Sequence, residues 1–319
     1  MTIQHKHEIL LEAGTNEMEI IEFYLGTQPF GINVQKLKEI IPFDPEAVTT
    51  IPGCGAGMLG TLLLRGNTIP LIDLKKHLTQ IGSATAAEQR RVVLVCEFNN
   101  RINGFMVDGV NQIHRISWND VQPMASFIDQ FRPRFTGSVN IDGREVLIVD
   151  LEHIVTEFDP EANMDYEIDL RQDLLQEERP HTREQMKLMM AEDSSLIRAG
   201  IERVLKSAGY TSLEVFADGQ ACHDRLLQIR QEVDNGANLR DHLQLLITDI
   251  EMPKMDGLTL CKKVKNDPLL KELKVILFSS LINEQMSAKC DLVGADGYAT
   301  KPQIPYLVEM IDGMLEISN

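Results

Sequence analysis

Along the second half of the chain, apolar runs of strand length alternate with amphipathic stretches of helical spacing. The runs are "KLMMA" at 187–191, "LEVF" at 213–216, "QLLIT" at 244–248, "KVILF" at 274–278 and "GYAT" at 297–300; helices are predicted to begin near Ser195, Gln220, Leu258, Asn283 and Ile304. Runs without polar alternation suit strands buried on both faces. Five such βα units between residues 186 and 319 imply an α/β, doubly wound parallel sheet of the flavodoxin-like kind. Ligand chemistry in such a sheet belongs at the carboxyl ends of its strands.

The first half is β-rich and repeats itself. "GTLLLRGNTIPLIDL" from Gly60 aligns with "GSVNIDGREVLIVDL" from Gly137 at an offset of 77 residues, with Gly60/Gly137, Gly66/Gly143, Asp73/Asp150 and Leu74/Leu151 identical. Upstream, "FGINV" from Phe30 is similar to "NGFMV" from Asn103. Each copy predicts a strand, a glycine turn and a second strand, hence two similar β subdomains.

A length of 319 residues suits about two domains. They are expected at 1–158 and 186–319, joined by a linker at 159–185 that carries 3 basic against 9 acidic residues. Helical spacing within the linker is possible at Ile168, Leu174 and Leu175. No apolar run reaches the ~20 residues of a membrane span, and "MTIQHKHEILLEAG" lacks a signal-peptide pattern, so a cytoplasmic protein without direct membrane insertion is expected. Five scattered cysteines form no closed disulfide set, and reduced thiols are expected. The net charge of -17 argues against a nucleic-acid partner, which needs a clustered basic face.

The strand-end rule gathers residues far apart in sequence. Glu192 and Asp193 end the first strand of the second domain, Asp249 the third, Ser279 the fourth and Lys301 the fifth. Individually each has an ordinary role open to it: helix cap for Asp193 and Ser279, turn residue for Asp249, surface charge for Lys301. Together the acids suit Mg²⁺, which prefers carboxylate, carbonyl and water oxygens. A lysine and a hydroxyl beside them suit an incoming phosphoryl group, and an aspartate there can attack phosphorus.

"AEDS", "TDIEMPKMDG", "LFSS" and "GYATKP", in that order, make residues 186–319 resemble the receiver domain of two-component response regulators. The resemblance implies that Asp249 is the phosphoacceptor. It implies further that Glu192, Asp193, Asp249 and the backbone carbonyl of Glu251 bind Mg²⁺, that Ser279 and Lys301 contact the phosphoryl group, and that Tyr298 is the aromatic switch residue. The Lys301–Pro302 bond would be cis. Glu251 and Leu281, two residues beyond Asp249 and Ser279, occupy positions that influence acyl-phosphate lifetime in receivers.

"GAGMLG", Gly55–Gly60, spells the dinucleotide-binding G-x-G-x-x-G, but the β-like "TLLLRGNTIPLIDL" follows where that motif needs a helix. Arg65 is more informative: it occupies a hairpin turn whose repeat counterpart is Asp142, so it either marks an acidic partner or is simply solvated. His114 and His153 lack the helical context of a phosphotransfer histidine, and Cys222–His223 has no further ligand set. "FYLGTQPFGINVQKLKEII", "MLGTLLLRGNTIPLIDL" and "GFMVDGVNQI" make residues 17–158 resemble CheW-like domains, which fold as two small β-barrels and bind chemoreceptor tips and the histidine kinase CheA. Leu37, Glu39, Gly60 and Arg65 match positions associated with those contacts, while Leu63 stands where relatives often carry a polar residue.

A CheW-like domain followed by a receiver is similar to the architecture of CheV-type chemotaxis proteins. The resemblance implies a non-enzymatic adaptor, held at membrane receptor arrays by protein partners, that couples chemoreceptors to CheA and is regulated by phosphorylation at Asp249. The alternative expectation is a phosphate sink that drains phosphoryl groups from CheA, with the CheW-like domain serving only to localise it.

Overall fold

The computed structural model describes residues 13–55, 57–78, 91–123, 134–158, 181–301 and 303–317. Packing divides the chain into two compact units, Met18–Pro160 and a second that joins Met1–Glu17 to Glu161–Asn319. The first seventeen residues were expected with the β-rich domain. The described part of that stretch packs instead with the other unit, because Ala13 is buried in that unit's core and Asn16 hydrogen-bonds its backbone. Residues 159–180 of the expected linker lie outside the described residues. At its end, His181–Gln185 form a short 3-10 helix whose Arg183 pairs bidentately with Asp312 and donates to the Ala208 carbonyl.

The β-rich unit contains eleven described strands in two sheets. They are β1 (Glu17–Leu25), β2 (Gln28–Asn33), β3 (Leu37–Pro42), β4 (Val48–Thr49), β5 (Met58–Leu64), β6 (Asn67–Asp73), β7 (Val92–Phe98), β8 (Arg101–Val107), β9 (Gly109–Ser117), β10 (Phe135–Ile141) and β11 (Arg144–Val149). One sheet runs β10-β11-β2-β1-β9 and the other β3-β7-β8-β6-β5-β4.

The sequence repeat is realised residue by residue. Hairpin β5–β6 turns at Arg65–Gly66 and hairpin β10–β11 at Asp142–Gly143, all four with the positive φ that a tight two-residue turn requires. Both hairpins carry a register irregularity beside the matched glycine, Gly60 or Gly137. A Cβ on Gly60 would lie 2.1 Å from the Thr49 carbonyl oxygen, and one on Gly137 2.7 Å from that of Gln122, so a neighbouring chain segment crosses each glycine too closely for any side chain. The second strand of each hairpin then pairs in parallel with a strand carrying the other matched glycine, Leu71 with Gly104 and Ile148 with Gly31. Short helices follow at the same offset: α1 (Leu74–Leu78) and α2 (Leu151–Phe158).

One buried acid ties the first sheet together. Glu22 on β1 is fully buried and accepts from Tyr24 Oη, Asn111 Nδ2 and Arg144 Nη1, with His114 Nε2 at 2.8 Å. Burial opposes its ionisation, but the hydrogen bonds and the Arg144 charge outweigh that cost and hold its carboxyl below the usual range. His114 is therefore structural.

The second unit has β12 (Lys187–Ala191), β13 (Ser212–Phe216), β14 (Leu245–Thr248), β15 (Lys274–Ser279) and β16 (Gly297–Thr300), all parallel in the order β13-β12-β14-β15-β16. Its helices are α3 (Ser195–Ser207), α4 (Gly219–Asp234), α5 (Leu239–His242), α6 (Gly257–Asn266), α7 (Glu284–Leu292) and α8 (Ile304–Met314). The side chains of Ser194, Asp218, Asn238, Asp256 and Asn283 accept backbone N–H bonds at the starts of α3 to α7, which fixes where each helix begins. Alternate strand residues feed two cores: Met189, Ala191, Leu246, Val275 and Leu277 pack on one side, and Leu188, Met190, Leu245, Ile247, Ile276 and Phe278 on the other. Fully burying a Leu, Ile, Val, Met or Phe side chain contributes roughly 1.5–3 kcal/mol, so an uninterrupted apolar run is what this position in the sheet demands.

Candidate phosphoacceptor site and partner surface

Strand register builds the acidic rim. Ala191 pairs with Thr248 and Thr248 with Leu277, while Ser279 pairs with Thr300. The residues that follow, Glu192, Asp249 and Lys301, therefore leave the sheet at one edge together with Ser279. Carboxylate oxygens of Glu192, Asp193 and Asp249 lie within 4.8 Å of one another. Lys301 Nζ reaches both Asp249 Oδ2 at 2.9 Å and Glu192 Oε2 at 2.7 Å.

Three of the four ordinary roles considered for these residues do not hold. Asp193 is not the cap of α3; Ser194 is. Lys301 is 4% exposed, far from a surface charge, and Ser279 is completely buried as the last residue of β15 rather than a cap.

The rim holds more negative than positive charge. Burial pushes the Glu192 carboxyl up to about 7; Lys301 pulls it down and Asp249 pushes it up again. Three carboxylates facing one ammonium are an unfavourable arrangement on their own, and a hard divalent cation would relieve it. The donor set thus fits Mg²⁺. Glu251, whose carbonyl was expected to add an oxygen, is half-buried in the loop two residues past Asp249.

The loop that carries Asp249 is held tightly. Asp249 N–H donates to the Ala191 carbonyl, Ile250 N–H donates to Asp249 Oδ1 at 2.6 Å, and Thr248 Oγ1 donates to the Asp249 carbonyl. Gly257 N–H closes the loop onto the Ile250 carbonyl. Residue 257 must be glycine, because a Cβ there would sit 1.8 Å from the Asp249 carbonyl oxygen. Reading the sequence missed Thr248 and Arg198; the latter donates from Nη1 to the carbonyls of Glu192 at 2.6 Å and Asp193 at 3.1 Å. Their only sequence signal is proximity to the acids, and both act here on backbone carbonyls, a contact that no motif announces.

Tyr298 is half-buried on β16, paired with Leu277, and packs against the core. Leu281 is buried two residues past Ser279, and its N–H donates to Ser279 Oγ at 3.5 Å. Pro302, and with it the isomer of the Lys301–Pro302 bond, lies outside the described residues.

In the β-rich unit, Arg65 Nη2 on the β5–β6 turn donates to Glu39 Oε2 on β3 at 2.8 Å. These strands stand towards opposite ends of the sheet order, so the sheet curls until its two sides approach. Two of the four expected partner residues therefore touch. Arg65 is 75% exposed, and an ion pair that open to water contributes only about 0–1 kcal/mol, which leaves its charge available to a competing acid. Leu37 is half-buried opposite Cys96, and Gly60 is buried at the β5 irregularity, where it shapes the hairpin. Leu63, which follows Gly60 on β5, is 70% exposed. "GAGMLG" leads into β5, a strand, so the helix that a dinucleotide site requires is absent at that position.

The remaining candidates are structural. His153 N–H donates to Asp150 Oδ1, and Cys222 is buried with its thiol pushed up to about 12 by burial. All five cysteines are free. Among the described residues no helix is long and apolar enough to cross a membrane.

Compared with known proteins, residues 19–159 match the family described as CheW-like domain, and residues 188–312 match the response regulator receiver domain. Over 314 residues the chain is 31% identical to chemotaxis protein CheV3 of Helicobacter pylori, covering 94% of this chain and 96% of that protein. Chemotaxis protein CheV2 of the same organism is 25% identical over 313 residues, covering 93% and 94%. Chemotaxis protein CheW of Rhizobium meliloti is 31% identical over 145 residues, which are 45% of this chain and 91% of that protein.

Proposed function

The chain belongs to the CheV-type chemotaxis proteins, a CheW-like domain joined to a response regulator receiver, and from that membership we propose an adaptor whose coupling of chemoreceptors to the histidine kinase CheA is set by phosphorylation of Asp249. The observation that carries the proposal is the buried Lys301 ammonium bonded at once to Glu192 and Asp249, in the same chain as a CheW-like domain.

An Asp249 carboxylate oxygen attacks the phosphorus of CheA phosphohistidine. The new O–P bond forms an acyl phosphate as the P–N bond breaks, and the imidazole leaves with the electron pair. Glu192, Asp193, Asp249 and the Glu251 carbonyl would hold Mg²⁺, which supplies charge neutralisation to the transferring group. Lys301 moves from its carboxylate partners to a phosphoryl oxygen, and the Ser279 hydroxyl donates to another. Tyr298, in the neighbouring strand, packs into the space that this rearrangement leaves.

Chelation of Mg²⁺ is expected to reduce labelling of the chain by a small phosphodonor to background, with recovery on adding the metal back. Labelling that persists in chelator would sink the acidic-site reading.

In the other domain, Leu37, Glu39, Gly60 and Arg65 mark the receptor-binding surface, on which exposed Arg65 offers its charge to an acidic partner. Arg65→Glu places two acids together and is expected to weaken receptor association by about tenfold, the equivalent of roughly 1.4 kcal/mol. Phosphorylation of Asp249 should be unaffected. Co-sedimentation with receptor-bearing membranes reads this directly, and unchanged binding would count against the turn contact. The same reading places the protein in the cytoplasm, held at receptor arrays through its partners.

A further inference from the structure

A segment at the start of the chain is built into the receiver unit. Asn16 N–H donates to Thr259 Oγ1 at 2.8 Å, its Nδ2 donates to the Lys254 carbonyl at 2.9 Å, and its Oδ1 accepts from Asp256 N–H at 2.9 Å. Three residues earlier, the Ala13 carbonyl accepts from Lys262 Nζ at 2.9 Å, and the Ala13 methyl is buried in the receiver core. Gly14 and Asn16 both have positive φ, and a Cβ on Gly14 would lie 2.7 Å from Lys262 Cδ. The turn "AGTN" is thus shaped for this contact by the residue types that tolerate it.

What Asn16 grips is the far end of the phosphoacceptor loop. Asp256 caps α6, accepting from Thr259 N–H and Thr259 Oγ1, and Thr259 Oγ1 in turn accepts from Asn16 N–H. Beside the cap, Gly257 lies against the Asp249 carbonyl. A contiguous path of packed and hydrogen-bonded groups runs from Asp249 through Gly257, Asp256 and Thr259 to Asn16. The next residue, Glu17, begins β1.

We propose that Ala13–Asn16 is a strap through which the state of the phosphoacceptor loop at 249–256 reaches strand β1. Asn16 is the positioning residue of that strap. The inference rests on the reading of Asp249 as phosphoacceptor. Its physical basis is that a few hydrogen bonds and one buried methyl stand against the entropy of ordering four residues. Those opposing contributions are of the same order, so a small movement of the loop shifts the strap between docked and released.

The test is hydrogen–deuterium exchange on the full chain, with and without acetyl phosphate and Mg²⁺, comparing wild type with Asn16→Gly. Glycine keeps the positive φ and removes only the side-chain bonds, so the variant folds. Without phosphodonor, Asn16→Gly is expected to raise exchange at Asp256 about fivefold, the factor that one net hydrogen bond represents. With phosphodonor, wild type should change its exchange across residues 17–25. Asn16→Gly should lose that change while Asp249 is labelled and residues 250–259 respond as before. Asn16→Asp, which keeps the acceptor for Asp256 N–H, should recover part of it. Label at Asp249 with residues 17–25 unmoved in wild type, or moved equally in Asn16→Gly, would overturn the strap alone. Absence of label at Asp249 would overturn the phosphoacceptor reading and the strap with it.

Discussion

Asp249→Asn is expected to abolish labelling by acetyl phosphate or phospho-CheA completely, because an amide oxygen carries neither the charge nor the nucleophilicity to attack phosphorus. The loss should be chemical rather than structural. Asp249 opposes ionisation of the buried Glu192, whose carboxyl lies at about 7 against an ordinary 4.5, burial being the largest cause. A carboxyl raised in the folded state binds its proton more tightly there than in the unfolded chain. Its contribution to stability is full below about pH 4.5 and is lost as pH rises to about 7. Removing the Asp249 charge should shrink that loss in metal-free protein. Thermal melts of wild type and Asp249→Asn between pH 4.5 and 7 read the difference. Label found on another aspartate, or a variant markedly less stable at pH 7, would refute this account of the rim.

Gly257→Ala is expected to be the most damaging small substitution near the site. Helix propensity alone favours alanine over glycine by about 1 kcal/mol, so a substitution without tertiary consequences would stabilise α6. Here the added methyl would lie 1.8 Å from the Asp249 carbonyl oxygen, a backbone atom that cannot swing away. The loop must shift, at a cost of about 1–3 kcal/mol. Displacing Asp249 from Lys301 and from its acidic neighbours should slow labelling at least ~10-fold, since catalysis of phosphoryl transfer rests almost entirely on positioning. Rates from stopped labelling reactions and a thermal melt check both parts. A variant that melts higher and labels at the wild-type rate would show that the close approach is not decisive.

Most of the fold was legible because it is written in local patterns. The five apolar runs of the receiver each became a strand, and the helices expected near Ser195, Gln220, Leu258, Asn283 and Ile304 begin within one residue of those positions. The repeat marked both hairpins, whereas the register irregularities beside Gly60 and Gly137 appear only in the strand pairing. The two-residue β4 and the four-residue α5 escaped, being too short to show a period. The acids, Ser279 and Lys301 were legible as strand-end residues, since the topology of a doubly wound sheet brings such positions together.

What sequence could not show is contact between distant residues of ordinary type. Glu22 lies in an apolar run with nothing nearby to announce Asn111, His114 and Arg144, which meet it only through the pairing of the sheet. Arg198 reads as one more exposed helix charge until its bonds to the Glu192 and Asp193 carbonyls are seen. The Ala13–Asn16 turn shows only as turn-forming residues, and its partners lie about 240 positions away in the receiver. Assignment of those residues to the β-rich domain failed for that reason.

The measurement that bears most directly on the central claim is the initial rate of CheA autophosphorylation in a reconstituted complex of receptor, CheA and this chain, with acetyl phosphate and Mg²⁺ present or absent. Wild-type chain should change the rate when phosphodonor is added, and Asp249→Asn chain should not. Equal rates for the two proteins under phosphodonor, with wild type alone draining label from CheA, would contradict regulated coupling and leave a phosphate sink in its place.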